Sequence, residues 1–420
     1  MSPSSSQERA VADLPLILLA FALSGFGVAM VYSAGQTDVQ TVVAHLYRSQ
    51  IGWVALAAAS AYVVSRASVR LVEWATLPGY ILTLVLLFLT LLLGSGAGTA
   101  ASTKSWLTIG GHRIGQPSEL AKITVVLMLA RVLAARKEPP KSLLDLWKPA
   151  LVVGGPWLLI MAQPDLGTGI VFIGIFFAML FWSGVSWRLL LLVASPAVSL
   201  VLAFSTSLWA AWFCLLFALV WTYKPYLMEG VLIVSLNVIM GVVAPILWER
   251  LAPYQQKRLL VFLDPQSDAR ASGYHVIQSK VAIGSGGWFG KGFTEGTQKR
   301  LAFLPEQHTD FIFAVVGEEL GFLGVSLALT LFLFLFLRTV RVASRANDSF
   351  SSLVAFGLAA SWFVHVGENV GMTLNLMPIT GIPLPFFSYG GSFMLACWLA
   401  IGILVRISSE GRGRVGALAI

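Results

Sequence analysis

The sequence predicts an all-α, polytopic integral membrane protein, and three observations carry that class. Only 11% of the 420 residues are charged against 57% hydrophobic, with a mean hydropathy of +0.81, whereas soluble domains carry about 25% charged residues. Apolar stretches of roughly 17–25 residues, each long enough to cross a ~30 Å hydrocarbon core, recur along the chain. Lysine and arginine gather in alternate loops, which is the charge bias that orients a membrane protein. A water-soluble fold of this length could not cover its surface with so few charges.

Taken in order, the first span is 14–33. The tail before it, 1–13, is polar and Ser-rich with one arginine and no small-residue cleavage site. That makes 14–33 a retained helix, with the tail cytoplasmic, and not a removed signal peptide. Further spans are expected at 50–65, 76–93, 117–135, 149–163, 166–184, 189–205, 207–222, 227–247, 309–337, 350–374 and 385–405, twelve in all. The stretch 50–65 is short, and 149–163 reads as a bent or re-entrant piece. Arg66 and Arg70 fall in one loop, and Arg131, Arg136, Lys137, Lys141 and Lys148 in the next but one. Arg188, Lys224, the trio Arg338, Arg341 and Arg345, and finally Arg406, Arg412 and Arg414 keep the alternation. With a cytoplasmic N-terminus, all of them lie inside, and so does the C-terminus. No internal repeat or low-complexity linker divides the chain, so 1–420 reads as one membrane domain. Cys214 and Cys397 both lie in apolar spans and read as small buried hydrophobes.

One segment departs from the charge rule. Between Trp248 and His308 lies the longest non-spanning stretch, placed outside by the topology. It carries Arg250, Lys257, Arg258, Arg270, Lys280, Lys291, Lys299 and Arg300 against Glu249, Asp264, Asp268, Glu295 and Glu306. It reads either as a solvated domain near anionic headgroups or as a site for an anionic substrate such as a lipid pyrophosphate.

Several constellations could carry chemistry. Pro265 biases Asp264 away from the α region, so its carboxylate sits on a non-helical turn; Asp-Pro pairs also occur as plain turn initiators. In 283–292, glycines at 284, 286, 287, 290 and 292 free the backbone either for tight turns or for turning N–H groups toward an anion, flanked by Lys280 and Lys291. Glu119 and Lys122, three apart at the outer end of the fourth span, share a helical face and read as an ion pair lining a wet cavity. Glu318 and Glu319 lie inside a span, as do Glu368 and Asn369 late in the eleventh, and such residues face a cavity or a partner. His308 and Asp310 lead into the 309–337 span, and 377–392 is a Pro- and Gly-rich re-entry. His112 and His308 stand apart from each other and from cysteine, so no metal-site spacing is present and any metal ligand set is unknown.

These strings resemble the SEDS family, whose members include RodA, FtsW and the sporulation proteins. The resemblance is carried by Gln116–Lys122, Gln163–Thr168, Phe262–Ser279, Ala282–Gly287, Leu304–Phe313, Gly317–Gly321 and Asn369–Ser392. Gln163, the Gly-Lys-Gly at 290–292, Gly296-Thr-Gln and Pro305-Glu-Gln-His look more like the elongation branch than the division branch. The resemblance implies a peptidoglycan glycosyltransferase polymerising lipid II, an undecaprenyl pyrophosphate disaccharide-pentapeptide, at the outer face of a bacterial inner membrane. It implies a class B penicillin-binding protein transpeptidase and the elongation machinery as partners, and no nucleic acid. It makes Asp264 the catalytic acid of the external loop, and Glu119 with Lys122 the intramembrane pair. Trp106, Lys280, Lys291, His308 and Asp310 complete the expected substrate cavity. Family members usually have ten spans; here Arg188–Glu249 can hold three where one is usual, so an extra helical hairpin is expected.

The chemistry can be argued apart from the family. Sugar transfer from a pyrophosphate needs a base for the acceptor hydroxyl and cations for the leaving group, which needs no strong acid. One carboxylate therefore suffices, unlike the carboxylate pair of glycoside hydrolases. The counter-charge could come from Lys and Arg or from a divalent cation, Mg or Mn, held partly by Asp264, and the sequence does not choose. A lipid-linked sugar flippase, another membrane glycosyl polymerase and a non-catalytic activator of a penicillin-binding protein are the rival readings.

Overall fold

The computed structural model describes all residues except 1–12, 39–41, 97–104, 110–111, 252, 269–271, 305 and 418–420. Arg270 and nearly all of the 1–13 tail therefore lie outside the described residues. The first half comprises α1 (Leu14–Ala34), α2 (Leu46–Arg66), α3 (Val69–Leu93), α4 (Pro117–Ala134), α5 (Trp147–Ala162) and α6 (Leu166–Trp182). Then come α7 (Trp187–Leu202), α8 (Thr206–Tyr223), α9 (Leu227–Arg250), α10 (Pro253–Leu263), α11 (Ser272–Ser285) and α12 (Thr297–Arg300). The chain closes with α13 (Ile312–Ser344), α14 (Ser349–Thr373) and α15 (Gly391–Ala417).

Among the described residues, eight stretches are long and apolar enough to cross a membrane: α1, α3, 144–162 including α5, α8, α9, α13, α14 and α15. Four long helices are shorter or more polar. At 1.5 Å per residue, α6 and α7 reach only ~25 Å, α4 carries Glu119, Lys122 and Arg131, and α2 carries Arg48, Gln50 and Arg66. Of the two forms expected at 149–163, bent or re-entrant, the re-entrant one is not built: α5 is one continuous helix with Pro156 inside it. The last helix starts at Gly391, six residues later than the sequence suggested, after a segment holding Pro383 and Pro385; proline removes a backbone donor and biases the preceding residue away from the helix.

The centre of the bundle is α14, packed on α4, α6 and α13, while α15 lies along α2. Close approach there depends on small residues: a Cβ on Gly402 would sit 2.5 Å from the Ala61 carbonyl oxygen, the device by which membrane helices pack without a hydrophobic drive. The periphery is α7–α9, where α8 and α9 each rest on α7. Asn237 ties the three together, donating to Ser195 at 2.8 Å and accepting from Trp212 at 3.2 Å, while Ser199 donates to the Asn237 carbonyl.

Loops sort to two ends. At one, the tail end, Arg338 grips buried Asp13 with two bonds of 2.9 and 2.8 Å, and Ser408 donates to the same carboxylate. At the other, the loop end, a small antiparallel sheet forms from β1 (Gly94–Ser95), β2 (Trp106–Ile109) and β3 (His112–Gly115). The 251–311 segment also sits at the loop end, with α10, α11 and α12 inside it. Its glycine run is wedged into α13. That helix breaks at Gly321 (φ 61°, ψ −156°), and the N–H groups of Lys291 and Gly292 donate to the carbonyls of Glu318 and Glu319, each at 3.0 Å. In return Phe322 donates to the Gly287 carbonyl at 2.9 Å. A Cβ on Gly286 would lie 1.9 Å from the Gly317 oxygen, and one on Gly290 2.0 Å from the Glu319 oxygen, so only glycine permits this seam. These N–H groups serve the helix, which corrects the expectation that they could face an anion.

Candidate active site

The buried half of the site starts at the N-terminus of α4. Pro117 occupies the first turn, where no N–H is needed, and the Gln116 N–H donates to Ser392 at 3.3 Å. One turn in, Glu119 and Lys122 form the expected pair, 2.8 Å apart and both buried. Lys122 also lies 2.7 Å from His365 Nε2 and 5.2 Å from the Phe393 ring centroid. The other ring nitrogen of His365, Nδ1, is 3.2 Å from the Pro383 carbonyl. A carbonyl only accepts, so Nδ1 carries the hydrogen and Nε2 accepts from the lysine. Lys122 is therefore held by a carboxylate, an imidazole and an aromatic face. Beside it is a cavity of about 20 Å³ lined in part by Glu119, Ser361 and Cys397, enough room for one water.

Around this core are further polar groups. Asp165 caps α6 by accepting from the Thr168 N–H at 3.1 Å, and it accepts from Ser105 Oγ at 3.2 Å. Ser105 adjoins Trp106 on β2, which places the tryptophan strand beside the α5–α6 turn. On α14, His365, Glu368 and Asn369 follow at i, i+3 and i+4, and so share a face. All three are buried. Asn369 donates to the carbonyls of Asp310 at 2.9 Å and Ile382 at 2.7 Å, stitching the bundle to the turn above it.

The exposed half is the α10–α11 corner. Asp264 follows α10, is exposed, and accepts the Gln266 N–H at 3.0 Å, the Asx-turn habit of an aspartate before a turn. Lys280 is exposed on α11. On α10, the Arg258 guanidinium lies 5.6 Å from the Tyr254 ring, whose hydroxyl donates to the Pro164 carbonyl at 3.4 Å. The corner thus leans on the turn that carries Asp165. On α11, Ser279 donates to the Thr373 carbonyl at 2.8 Å, and His275 stacks on Phe311, centroids 6.0 Å apart.

Between the halves runs the 304–311 turn. Burial pushes the Asp310 carboxyl up to about 7, the nearby Glu306 adds to the rise, and Arg258 and Thr309 oppose it. Burial also lowers His308 and His275, with Arg258 lowering His275 further. Such displaced groups cluster where a fold handles charge. The His308 ring lies 5.8 Å from Tyr389, and the Tyr389 N–H donates to the His308 carbonyl at 2.9 Å.

The structure therefore joins Glu119 with Lys122 and sets His308 with Asp310 on one turn. Asp264 occupies the exposed corner, and Lys280 is exposed further along α11. Lys291 is placed elsewhere, its Nζ 2.8 Å from Glu318 and 2.6 Å from Thr297, so its charge is taken up at the α13 seam. Sequence reasoning did not single out His365, Asp165 or His275 as site residues, and named Arg258 only among the basic residues of the outer segment. His365 had a legible signal, an ionisable residue inside a span one turn from Glu368. The other three are brought in by contacts that no local pattern encodes.

Removing one member of a buried pair leaves a charge without compensation, at a cost of about 3–5 kcal/mol. Lys122→Ala is thus expected to lower the unfolding temperature more than Glu119→Ala combined with Lys122→Ala. The double variant is expected to fold and to be inactive. Thermal unfolding and turnover of both variants check this, and a double variant that is stable and fully active refutes it.

Comparison with known proteins places this geometry in a family. The profile of the cell cycle protein family FtsW/RodA/SpoVE matches residues 14–215 and 204–413; the two stretches meet in α8, the first helix of the expected extra hairpin. The peptidoglycan glycosyltransferase MrdB of Escherichia coli (strain K12) is 36% identical over 401 residues, covering 95% of this chain and 94% of that protein. The peptidoglycan glycosyltransferase RodA of Treponema pallidum (strain Nichols) is 35% identical over 430 residues, covering 95% and 98%. A solved chain described as "Structural coordination of polymerization and crosslinking by a peptidoglycan synthase complex" superposes with a TM-score of 0.71 at 27% identity, covering 96% of this chain and 98% of that one. With its family profile spanning nearly the whole sequence and its helices following the same path, the chain belongs to the FtsW/RodA/SpoVE family.

Proposed function

We infer that the chain is a peptidoglycan glycosyltransferase that polymerises lipid II at the outer face of a bacterial cytoplasmic membrane during cell elongation. The observation that carries the reading is the 36% identity, across 95% of the chain, with a protein named for that activity. The site supports it by its parts: an exposed carboxylate, Asp264, at the end of a helix that bonds the α5–α6 turn, and a buried network of Glu119, Lys122 and His365. In the proposed step the Asp264 carboxylate takes the proton of the acceptor sugar's hydroxyl. That oxygen bonds to the donor's anomeric carbon as the bond to pyrophosphate breaks, and the pyrophosphate leaves with both electrons. Arg258 on α10 and Lys280 on α11 are the chain's own proposed counter-charges for it.

Among the described residues no three His, Cys, Asp or Glu side chains gather as a metal site. One carboxylate completed by substrate phosphates is nonetheless a donor set that Mg²⁺ accepts, and Asp264 fits it. Such an ion would supply Lewis-acid charge at the departing phosphate.

A class B penicillin-binding protein is the proposed partner, in line with the synthase complex to which the structural neighbour belongs. The decisive experiment incubates the purified protein with labelled lipid II. Glycan polymer without a partner's glycosyltransferase domain is expected. Translocation alone would make the chain a flippase, and neither activity would make it an activator.

The same reading places 251–311 outside and both termini in the cytoplasm. In a Cys214→Ser background, Gln266→Cys is expected to react with an impermeant thiol reagent in outer-permeabilised cells and Ser344→Cys is not. The opposite labelling pattern overturns the orientation.

A further inference from the structure

The α8–α9 hairpin contains a cleft. Near the loop end α8 and α9 touch, so closely that a Cβ on Gly241 would lie 2.2 Å from the Trp209 ring. Toward the tail end they splay, on either side of a reversal in which Lys224 takes a left-handed backbone (φ 50°) and Pro225 follows. The gap encloses about 600 Å³ and is lined by Phe217, Trp221, Tyr226, Gly230 and Val234, with Lys224 at its rim. Phe217 and Val234 lie seven residues inward from Lys224 and Leu227, a depth of ~10 Å.

What fills it is decided by size and charge. A membrane-spanning helix ~30 Å long and ~10 Å across occupies more than ~2,000 Å³, several times the cleft, whereas a single hydrocarbon chain fits. The rim is polar and cationic where the depth is apolar. Trp221 and Tyr226 are amphipathic aromatics suited to the headgroup level, and Arg188 begins α7 at this same end. The acid in the first turn of α9, Glu229, is turned inward and accepts the Leu143 N–H at 3.1 Å. The positive rim is left to a ligand.

We propose that the α8–α9 cleft holds one anionic glycerophospholipid, with an acyl chain between the helices and its phosphate on Lys224. Glu229 and Tyr223, whose hydroxyl donates to the Lys141 carbonyl at 2.6 Å, join this end of the hairpin to the α4–α5 loop. The bound lipid therefore braces the hairpin where it meets the bundle.

The test is native mass spectrometry of the full-length protein, titrated with phosphatidylglycerol or with phosphatidylcholine of the same chains. One phosphatidylglycerol is expected to be retained in preference. Lys224→Ala is expected to weaken that retention by about fivefold, the scale of one lysine's attraction to an anionic lipid. Gly230→Trp, which fills the cleft, is expected to abolish retention of both lipids, with thermal unfolding in lipid-free detergent confirming that each variant is folded. Equal retention of the two lipids by the wild type, or retention untouched by both substitutions, overturns the proposal. So does a photo-crosslinker at Val234 that captures a polypeptide in place of lipid.

Discussion

Asp264→Asn is expected to yield a protein that folds and inserts normally and makes no glycan polymer. The side chain is exposed, and its Oδ1 accepts the Gln266 N–H at 3.0 Å, a bond that the asparagine oxygen can accept as well. The turn should survive, so thermal unfolding should match the wild type. What asparagine cannot do is hold a proton taken from a sugar hydroxyl. Loss of a general base typically costs 10²–10⁴-fold in rate. Polymer length and yield on gels with labelled lipid II give the measurement, and a wild-type rate in the asparagine variant removes Asp264 from the chemistry.

The second large effect is on stability, at Lys299. Its side chain is fully buried, 2.8 Å from the equally buried Glu319, and it donates to the Thr294 carbonyl at 2.9 Å. Ser33 of α1 donates to Glu319 and accepts from Lys299, so three distant segments meet at one ion pair. Lys299→Met leaves the Glu319 charge inside with one hydroxyl for company. The expected cost is about 3–5 kcal/mol, a large part of the ~5–15 kcal/mol that holds a typical domain. Lys299→Met with Glu319→Gln should recover much of it, since the stranded charge is gone. Thermal unfolding of both variants decides the matter: an unchanged midpoint in the single variant, or a double variant no better than the single, would contradict the ion-pair account.

Much of this architecture was legible because it follows from solvent physics. Composition and charge alternation gave the class, and the three-residue spacing of Glu119 and Lys122 gave their pairing. The rule that an ionisable residue within a span seeks a partner held for Glu318 and Glu319. What it could not supply was the partner's identity. Lys291 lies 27 residues upstream of Glu318 and Lys299 upstream of Glu319 in the same loop, while Ser33 comes from the first helix. Sequence period reports which residues share a face and is blind to which faces meet. The β1–β3 sheet was missed for a related reason, since strands of two and four residues leave almost no alternation to read. The glycine run was ambiguous by nature: a backbone freed to turn its N–H groups can serve an anion or a broken helix, and only the kink at Gly321 shows which.

That seam has a consequence for building chimeras. The carbonyls freed by the break in α13 are served by residues 286–292, and the loop's own carbonyls are served by α13 in return. Neither segment is complete without the other. A swap that grafts the loop of a relative onto this α13 would pair mismatched partners, bury unsatisfied amides at a membrane boundary, and misplace the α12 lysine. The two are one interchangeable cassette, running from Ala282 to Leu323, and recombination between homologues should tolerate crossovers on either side of it far better than within it.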